Sequence, residues 1–214
     1  MKFKLLVLTI LAAMAGAFFA KHAFTGSLFS KENATNLLVT TEHDLSAWSE
    51  ASKTAVKRMR IKYGEPDEIT NSLMVWKNNG PWKKTVIYSE SVKHNFPIPH
   101  SDVIQQFVHL KVPAGKLDEL SLFNGSIEYN RTSGDISATC DKEEANILTL
   151  NLAHELILGN INVSEARKMY AESVLQLSRG EKPEISTQLK FQNVNFSGDP
   201  DVKGILYSME NLTN

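Results

Sequence analysis

Ser126-Ile127-Glu128-Tyr129-Asn130-Arg131 alternates apolar and polar residues, Ser133-Gly134-Asp135 turns the chain, and Ile136-Ser137-Ala138-Thr139-Cys140 alternates again. A period of two places Ile127 and Tyr129 on one face of a strand, and Ile136, Ala138 and Cys140 on one face of the next. That is the pattern of an antiparallel hairpin with one wet face. The period then changes without a linker. Asp141-Lys142-Glu143-Glu144 reads as a helix start, with Asp141 as N-cap and Glu144 at N3 of a capping box. Ala145, Leu148, Leu152 and Leu156 recur at helical spacing, and Gly159 suits the residue after the helix end. Two strands feeding an amphipathic helix predict an α+β fold, with helices packed on a mostly antiparallel sheet.

Elements on both sides agree. Leu73 to Trp76 and Trp82 to Tyr88 flank Asn78-Asn79-Gly80-Pro81, and Asn-Gly between β-prone runs is a hairpin signal. A helix is expected over about Leu45 to Lys62, where Leu45, Trp48, Ala55, Met59 and Tyr63 approximate one face. Asp44 or Ser46 would cap its start, and Gly64 and Pro66 end it. Its cations Lys53, Lys57, Arg58, Arg60 and Lys62 read as a solvated face. A further helix is expected from about Ser164 to Leu177, with Ala166, Met169, Tyr170, Val174 and Leu177 as its apolar face. Between the hairpins the pattern predicts a short helical turn from Ser101, a strand near Phe107 to Val112, and a helical segment over Lys116 to Leu122. Gln188 to Phe196 and Ile205 to Met209 are strand-like.

The N-terminus carries a different message. Lys2 and Lys4 precede an apolar run from Leu5 to Met14 broken only by Thr9, and Ala15-Gly16-Ala17 supplies small residues at −3 and −1. This is the signal-peptide pattern, with cleavage expected after Ala17; Ala20 and Ala23 place Phe18 or Lys21 at −3, which fits worse. An uncleaved anchor is the alternative, but the run ends at Ala20, short of the roughly 20 apolar residues that cross a bilayer. The expected organisation is a signal peptide at 1–17, a lead-in linker at 18–40, an α+β domain at 41–180, and a C-terminal extension with strand-like segments at 181–214. The expected location is outside the cytoplasm, periplasmic or secreted, with no stable membrane insertion after cleavage.

Composition narrows the partners. A formal charge of −1, with 42% hydrophobic and 22% charged residues, gives no bulk attraction to nucleic acid or anionic lipid. Cys140 is the only cysteine, so no internal disulfide forms, and its place at a strand end reads as a small buried hydrophobe. Six Asn-x-Ser/Thr triplets, at Asn33, Asn124, Asn130, Asn162, Asn195 and Asn211, arise readily in an asparagine-rich chain and carry no assignment.

Motifs of catalysis are sparse. No nucleotide-binding glycine loop and no G-x-S-x-G elbow occurs. His154-Glu155 lacks the second histidine of a zinc-protease helix, because Leu158 stands there. The unusual segment is His94-Asn95-Phe96-Pro97-Ile98-Pro99-His100-Ser101-Asp102. Its prolines hold the chain extended, and six extended residues span about 20 Å, so His94 and His100 are expected to stand apart along a stiff loop. His100 and Asp102 are closer and combine N and O donors. Trp76 and Trp82 flank the first turn, as a cross-strand packing pair or an aromatic binding surface. The candidate binding residues are therefore His94, His100, Asp102, Trp76 and Trp82. No catalytic residue, metal or cofactor is assigned.

Asn78-Asn79-Gly80-Pro81-Trp82-Lys83, the segment from His94 to Asp102 and Cys140-Asp141-Lys142-Glu143-Glu144 together resemble a family of uncharacterised exported bacterial proteins, over about residues 45–175. That resemblance implies export and carries no activity over to this chain. The helix followed by Gly64-Glu65-Pro66 and a Trp-containing hairpin is similar to small periplasmic modules of the SmpA/OmlA outer-membrane assembly type, over about residues 45–90; their lipid-anchor cysteine is missing here. The functional expectation is an exported, non-catalytic binding module of the bacterial envelope, contacting an envelope protein or a small ligand. The alternative is a metal-dependent or hydrolytic enzyme centred on the His94–Asp102 loop.

Overall fold

Helix α1 (Glu50–Tyr63) starts later than its apolar pattern suggests, because Ser49 and neither Asp44 nor Ser46 is the N-cap: its hydroxyl accepts the Ser52 N–H. Gly64 ends the helix at φ +80°, its N–H donated to the Arg60 carbonyl. The computed structural model describes residues 44–192. The expected signal peptide and linker, and the strand-like runs beyond Gln192, lie outside the described residues. Among the described residues no helix is long and apolar enough to cross a membrane.

After α1 come β1 (Glu68–Ile69), β2 (Leu73–Lys77), β3 (Lys84–His94), β4 (His100–His109), α2 (Leu117–Phe123), β5 (Ile127–Asn130), β6 (Asp135–Cys140), α3 (Glu143–Leu158) and α4 (Val163–Ser178). All six strands pair antiparallel, in the order β1-β2-β3-β4-β6-β5. The fold is α+β. The helical turn expected after Ser101 is instead the start of β4, which runs as one strand to His109. Ser101 and Asp102 pair with Lys93 and Val92 of β3, and this ladder outweighs the local preference of Ser101-Asp102 for a turn.

Register places Met74, Ile87, Ile104 and Cys140 in one row across four strands. Ala55, Val56 and Met59 of α1 cluster with the first three of these residues. Further along the sheet Val108, Ile136 and Ala138 cluster with Leu148, Leu152 and Leu156 of α3 and with Ala166, Tyr170 and Val174 of α4. Between the two apolar clusters runs a polar seam. Asn146 donates to the Ile104 carbonyl and to Gln106 Oε1, both at 3.0 Å, while Gln106 donates to Thr85 Oγ1 at 3.3 Å and Asn79 donates to Thr85 at 3.0 Å. Segment 181–192 carries no strand. Asn151 of α3 holds it by donating to the carbonyls of Ile185 and Gln188 and accepting the Lys190 N–H. Those bonds satisfy the backbone groups that a ladder would otherwise pair.

The start of α3 departs from the expected capping box. Lys142 is the N-cap and makes no side-chain cap bond. Glu143, 8% exposed, turns inward: its Oε1 accepts the Trp82 indole N–H and the Tyr63 hydroxyl, each at 2.6 Å, and its Oε2 accepts Lys62 Nζ at 2.5 Å. Burial and the Glu143 carboxylate push the Tyr63 hydroxyl up to about 12. Gly80, at φ +64°, seats the hairpin turn against the same tyrosine, where a Cβ would fall 2.9 Å from the Tyr63 hydroxyl. A capping box forms instead at α4, between Asn162 and Glu165.

Replacing Glu143 with Ala strands a buried indole N–H, a phenol and an ammonium together. We expect Glu143→Ala to lose about 3–5 kcal/mol of unfolding free energy, and Trp82→Phe about 1–2 kcal/mol, in urea titrations followed by fluorescence. A loss below about 1 kcal/mol in Glu143→Ala would show that the carboxylate is not a structural tie.

Candidate functional site

The β3–β4 hairpin is regular from Lys84↔Phe107 to Ile87↔Ile104 and irregular beyond. Pairing resumes at Val92↔Asp102, so Tyr88, Glu90 and their two neighbours stand opposite the single residue Val103. Bulges of this kind re-aim side chains at the end of a ladder. Pairing then closes on His94↔His100. The chain reverses over Asn95–Pro99, where the Phe96–Pro97 peptide is cis. The expectation that His94 and His100 stand apart is therefore corrected: they are cross-strand partners, with ring centroids 4.8 Å apart. The prolines do not extend the segment as a rod but hold its turn. Phe96 anchors that turn, stacking on Tyr170 at 5.5 Å beneath the Arg167 guanidinium at 3.7 Å. Arg167 in turn donates to the carbonyls of Leu122 and Phe123 at the end of α2.

Asp102 is the centre of the cluster. His94 Nδ1 lies 3.1 Å from its Oδ2, and His100 Nε2 lies 3.1 Å from its Oδ1. Ser126, just before β5, donates its hydroxyl to Asp102 Oδ2 and sits 3.2 Å from His94 Nδ1. Ser126 is itself set by Asn124, whose buried side chain accepts the Ser126 N–H. His100 Nδ1 is 2.8 Å from the Ile98 carbonyl and donates to it, which orients the ring with Nε2 toward Asp102. The 3.1 Å contact between His100 Nε2 and Asp102 Oδ1 is an ion contact without hydrogen-bond alignment, so both atoms are buried with no hydrogen-bond partner. One donor atom from each of His94, His100 and Asp102 lies within 4.8 Å of the others.

The Asp102 carboxylate, helped by the Cys140 side chain, pushes His100 up to about 11. Burial pushes the Cys140 thiol up in turn, although His100 beside it acts the other way. At 3% exposure Cys140 is an inert buried thiol rather than an activated nucleophile. Tyr170, close to it, is likewise raised by burial.

Asp102 and Ser126 also line an open cleft of about 380 Å³ on the sheet face opposite the helices, together with Tyr88, Glu90, Gln105 and Glu128. Its floor is bonded in place: the Tyr88 hydroxyl donates to Gln105 Oε1 at 2.5 Å, and Gln105 Nε2 donates to Ser137 at 2.9 Å and to Glu128 at 3.0 Å.

The tryptophans lie elsewhere. Trp76 packs with α1 and donates its indole to the Gly64 carbonyl; Trp82 packs with α3 and bonds Glu143. Register pairs Trp76 with Thr85, so the two rings are not a cross-strand pair, and both are buried rather than a surface. His154 stacks on Phe191 at 4.8 Å, away from the cluster. Ser126 and the cleft-floor residue Gln105 were not singled out from sequence. Ser126 joins from a strand entrance with no local motif, and Gln105 is an ordinary polar strand position.

No protein-family model, no curated protein and no solved structure matches this chain.

The raised pKa of His100 has a defined sign in stability. Its folded value lies above the ordinary 6.5, so the stabilisation is complete below about pH 6.5 and is lost as pH rises toward 11. In metal-free protein we expect the stability of the wild type, relative to His100→Gln, to fall steadily between about pH 6 and pH 9 in urea titrations. Parallel pH profiles for the two proteins would contradict the assignment.

Proposed function

We propose that this is an exported binding protein whose folded domain holds a divalent transition-metal ion, of the zinc class, through His94, His100 and Asp102. The observation that carries the reading is the pair of buried, unbonded atoms, His100 Nε2 and Asp102 Oδ1, in a cluster that already gathers two imidazoles and a carboxylate. Buried polar atoms normally find partners, and a metal cation that displaces the His100 proton would supply one to both. Two imidazoles and a carboxylate suit zinc or iron(II) and leave coordination positions open. With bonds of about 2.0–2.2 Å, ligand atoms settle roughly 3.3 Å apart, so the 3.1 Å contacts need little change and the imidazoles must draw together. The surroundings support it. His100 donates its other ring nitrogen to the Ile98 carbonyl, and Ser126 donates to Asp102, which are the outer bonds that orient metal ligands.

Export rests on Lys2, Lys4, the apolar run and Ala15-Gly16-Ala17. It puts metal capture outside the cytoplasm, with a small ligand or an envelope protein as the further partner. Mass spectrometry of the protein from its host should find a chain beginning at Phe18; one beginning at Met1 would reject cleavage.

Calorimetric titration of chelator-treated protein with zinc tests the site itself. Wild type should bind one ion, Ser126→Ala about tenfold more weakly, and His100→Ala or Asp102→Ala at least about a hundredfold more weakly. Absence of uptake by wild type, or unchanged uptake by Asp102→Ala, would reject the metal reading.

A further inference from the structure

Cys140 is buried, but its surroundings are not those of a small hydrophobe. It closes β6 opposite Ile104, on the strand next to Asp102 and two positions from its level. The His100 ring and the Tyr170 hydroxyl both lie beside its thiol. The thiol proton goes to Asp141 Oδ1 at 3.4 Å, a long contact with the next residue in the chain. Packing alone would call for apolar neighbours at that strand end. Asp102 supplies an independent sign of a ligand. Its side chain is 6% exposed, and its two oxygens face different groups. Oδ2 meets Ser126 and His94, whereas Oδ1 meets His100 Nε2 with no hydrogen bond to either atom. The two partnerless atoms therefore lie on the Oδ1 side of the carboxylate, and the ring that bears one of them is the ring beside Cys140.

We propose that Cys140 is the fourth ligand of the metal, its thiolate joining His94, His100 and Asp102 in a tetrahedral set of two nitrogens, one oxygen and one sulfur. This assignment rests on the metal reading and narrows it. The ion displaces the thiol proton along with the His100 proton, both passing to solvent, and bonds sulfur at about 2.3 Å. The Tyr170 hydroxyl then donates to the thiolate, an outer bond of the kind that orients a ligand. Solvent access is not needed, because a ligand meets only its ion. A sulfur donor selects zinc or cobalt(II) over manganese(II) and magnesium. Four protein ligands also leave no position for a reacting water, so the site holds an ion instead of activating one.

The test is the absorption spectrum of the purified protein, stripped by chelator, reduced with a phosphine so that no added thiol is present, and titrated with cobalt(II). Cys140 is the only cysteine in the chain, so a thiolate-to-cobalt charge-transfer band in the near ultraviolet identifies it without any mutation. That band should grow in step with cobalt uptake and stop at one ion per chain. Cys140→Ser should still take up cobalt, lose the ultraviolet band, and bind zinc at least about tenfold more weakly than wild type. Cobalt uptake by wild type without the band, a band that survives in Cys140→Ser, or unchanged zinc affinity in that variant overturns the assignment and leaves metal binding by the other three residues standing. No cobalt uptake by wild type rejects the metal reading and Cys140 with it. If Cys140→Ser does not fold, the wild-type spectrum decides alone.

Discussion

A single carboxylate ties the architecture together. Glu143 brings the end of α1, the β2–β3 turn and the first turn of α3 to one point through Lys62, Tyr63 and Trp82. A buried carboxylate is costly unless its lone pairs are used, and here three donors use them. Its place in the first turn of α3 also sets negative charge against the positive end of the helix dipole. The tie has a geometric consequence. α1 and α3 belong to two apolar clusters that line one face of the same sheet, and Glu143 joins them at their edge. Both helices are committed to that face, which leaves the cleft on the other.

β4 mediates between the faces. Its neighbouring residues Gln105 and Gln106 are both buried and point to opposite sides. Gln106 belongs to the seam with Thr85 and Asn146 on the helix side; Gln105 belongs to the floor of the cleft with Tyr88, Glu128 and Ser137. Buried polar networks of this kind specify a register more sharply than apolar packing, since a one-residue slip would break their side-chain bonds together. The same strand delivers Asp102 and His100. Accurate placement of the cluster is thus inherited from the most heavily bonded strand in the sheet.

The histidine cluster in turn depends on the overhang of the β3–β4 hairpin. β4 begins at His100 but pairs with β6 only from Ile104, so His100, Ser101, Asp102 and Val103 project past the ladder to β6. Ser126 meets Asp102 there, and Phe96 fixes the tip against Tyr170 and Arg167. A site on the end of a rigid strand pair, braced at the far tip, holds its donors in position without metal.

Local periodicity was enough for the layers. The alternation of Ile127, Tyr129, Ile136 and Ala138 and the helical spacing of Leu148, Leu152 and Leu156 report which side of each element meets the core, because burial acts residue by residue along one chain segment. It also flagged His94, His100 and Asp102, since two prolines between two histidines are conspicuous. What it could not give was their meeting. Pro97 and Pro99 restrict the backbone of the segment equally well for a rod or for a turn, and the choice falls to Phe96, which finds Tyr170 more than seventy residues away. The same holds for Glu143, which in sequence is only part of a helix start until Trp82 and Tyr63 reach it. Periodicity is a property of neighbours in sequence, whereas pairing of a buried charge or a ligand set is a property of neighbours in space. The chain by itself determined its α+β layers and its candidate donors; only tertiary packing, by closing a five-residue turn onto α4, decided that those donors meet in one cluster.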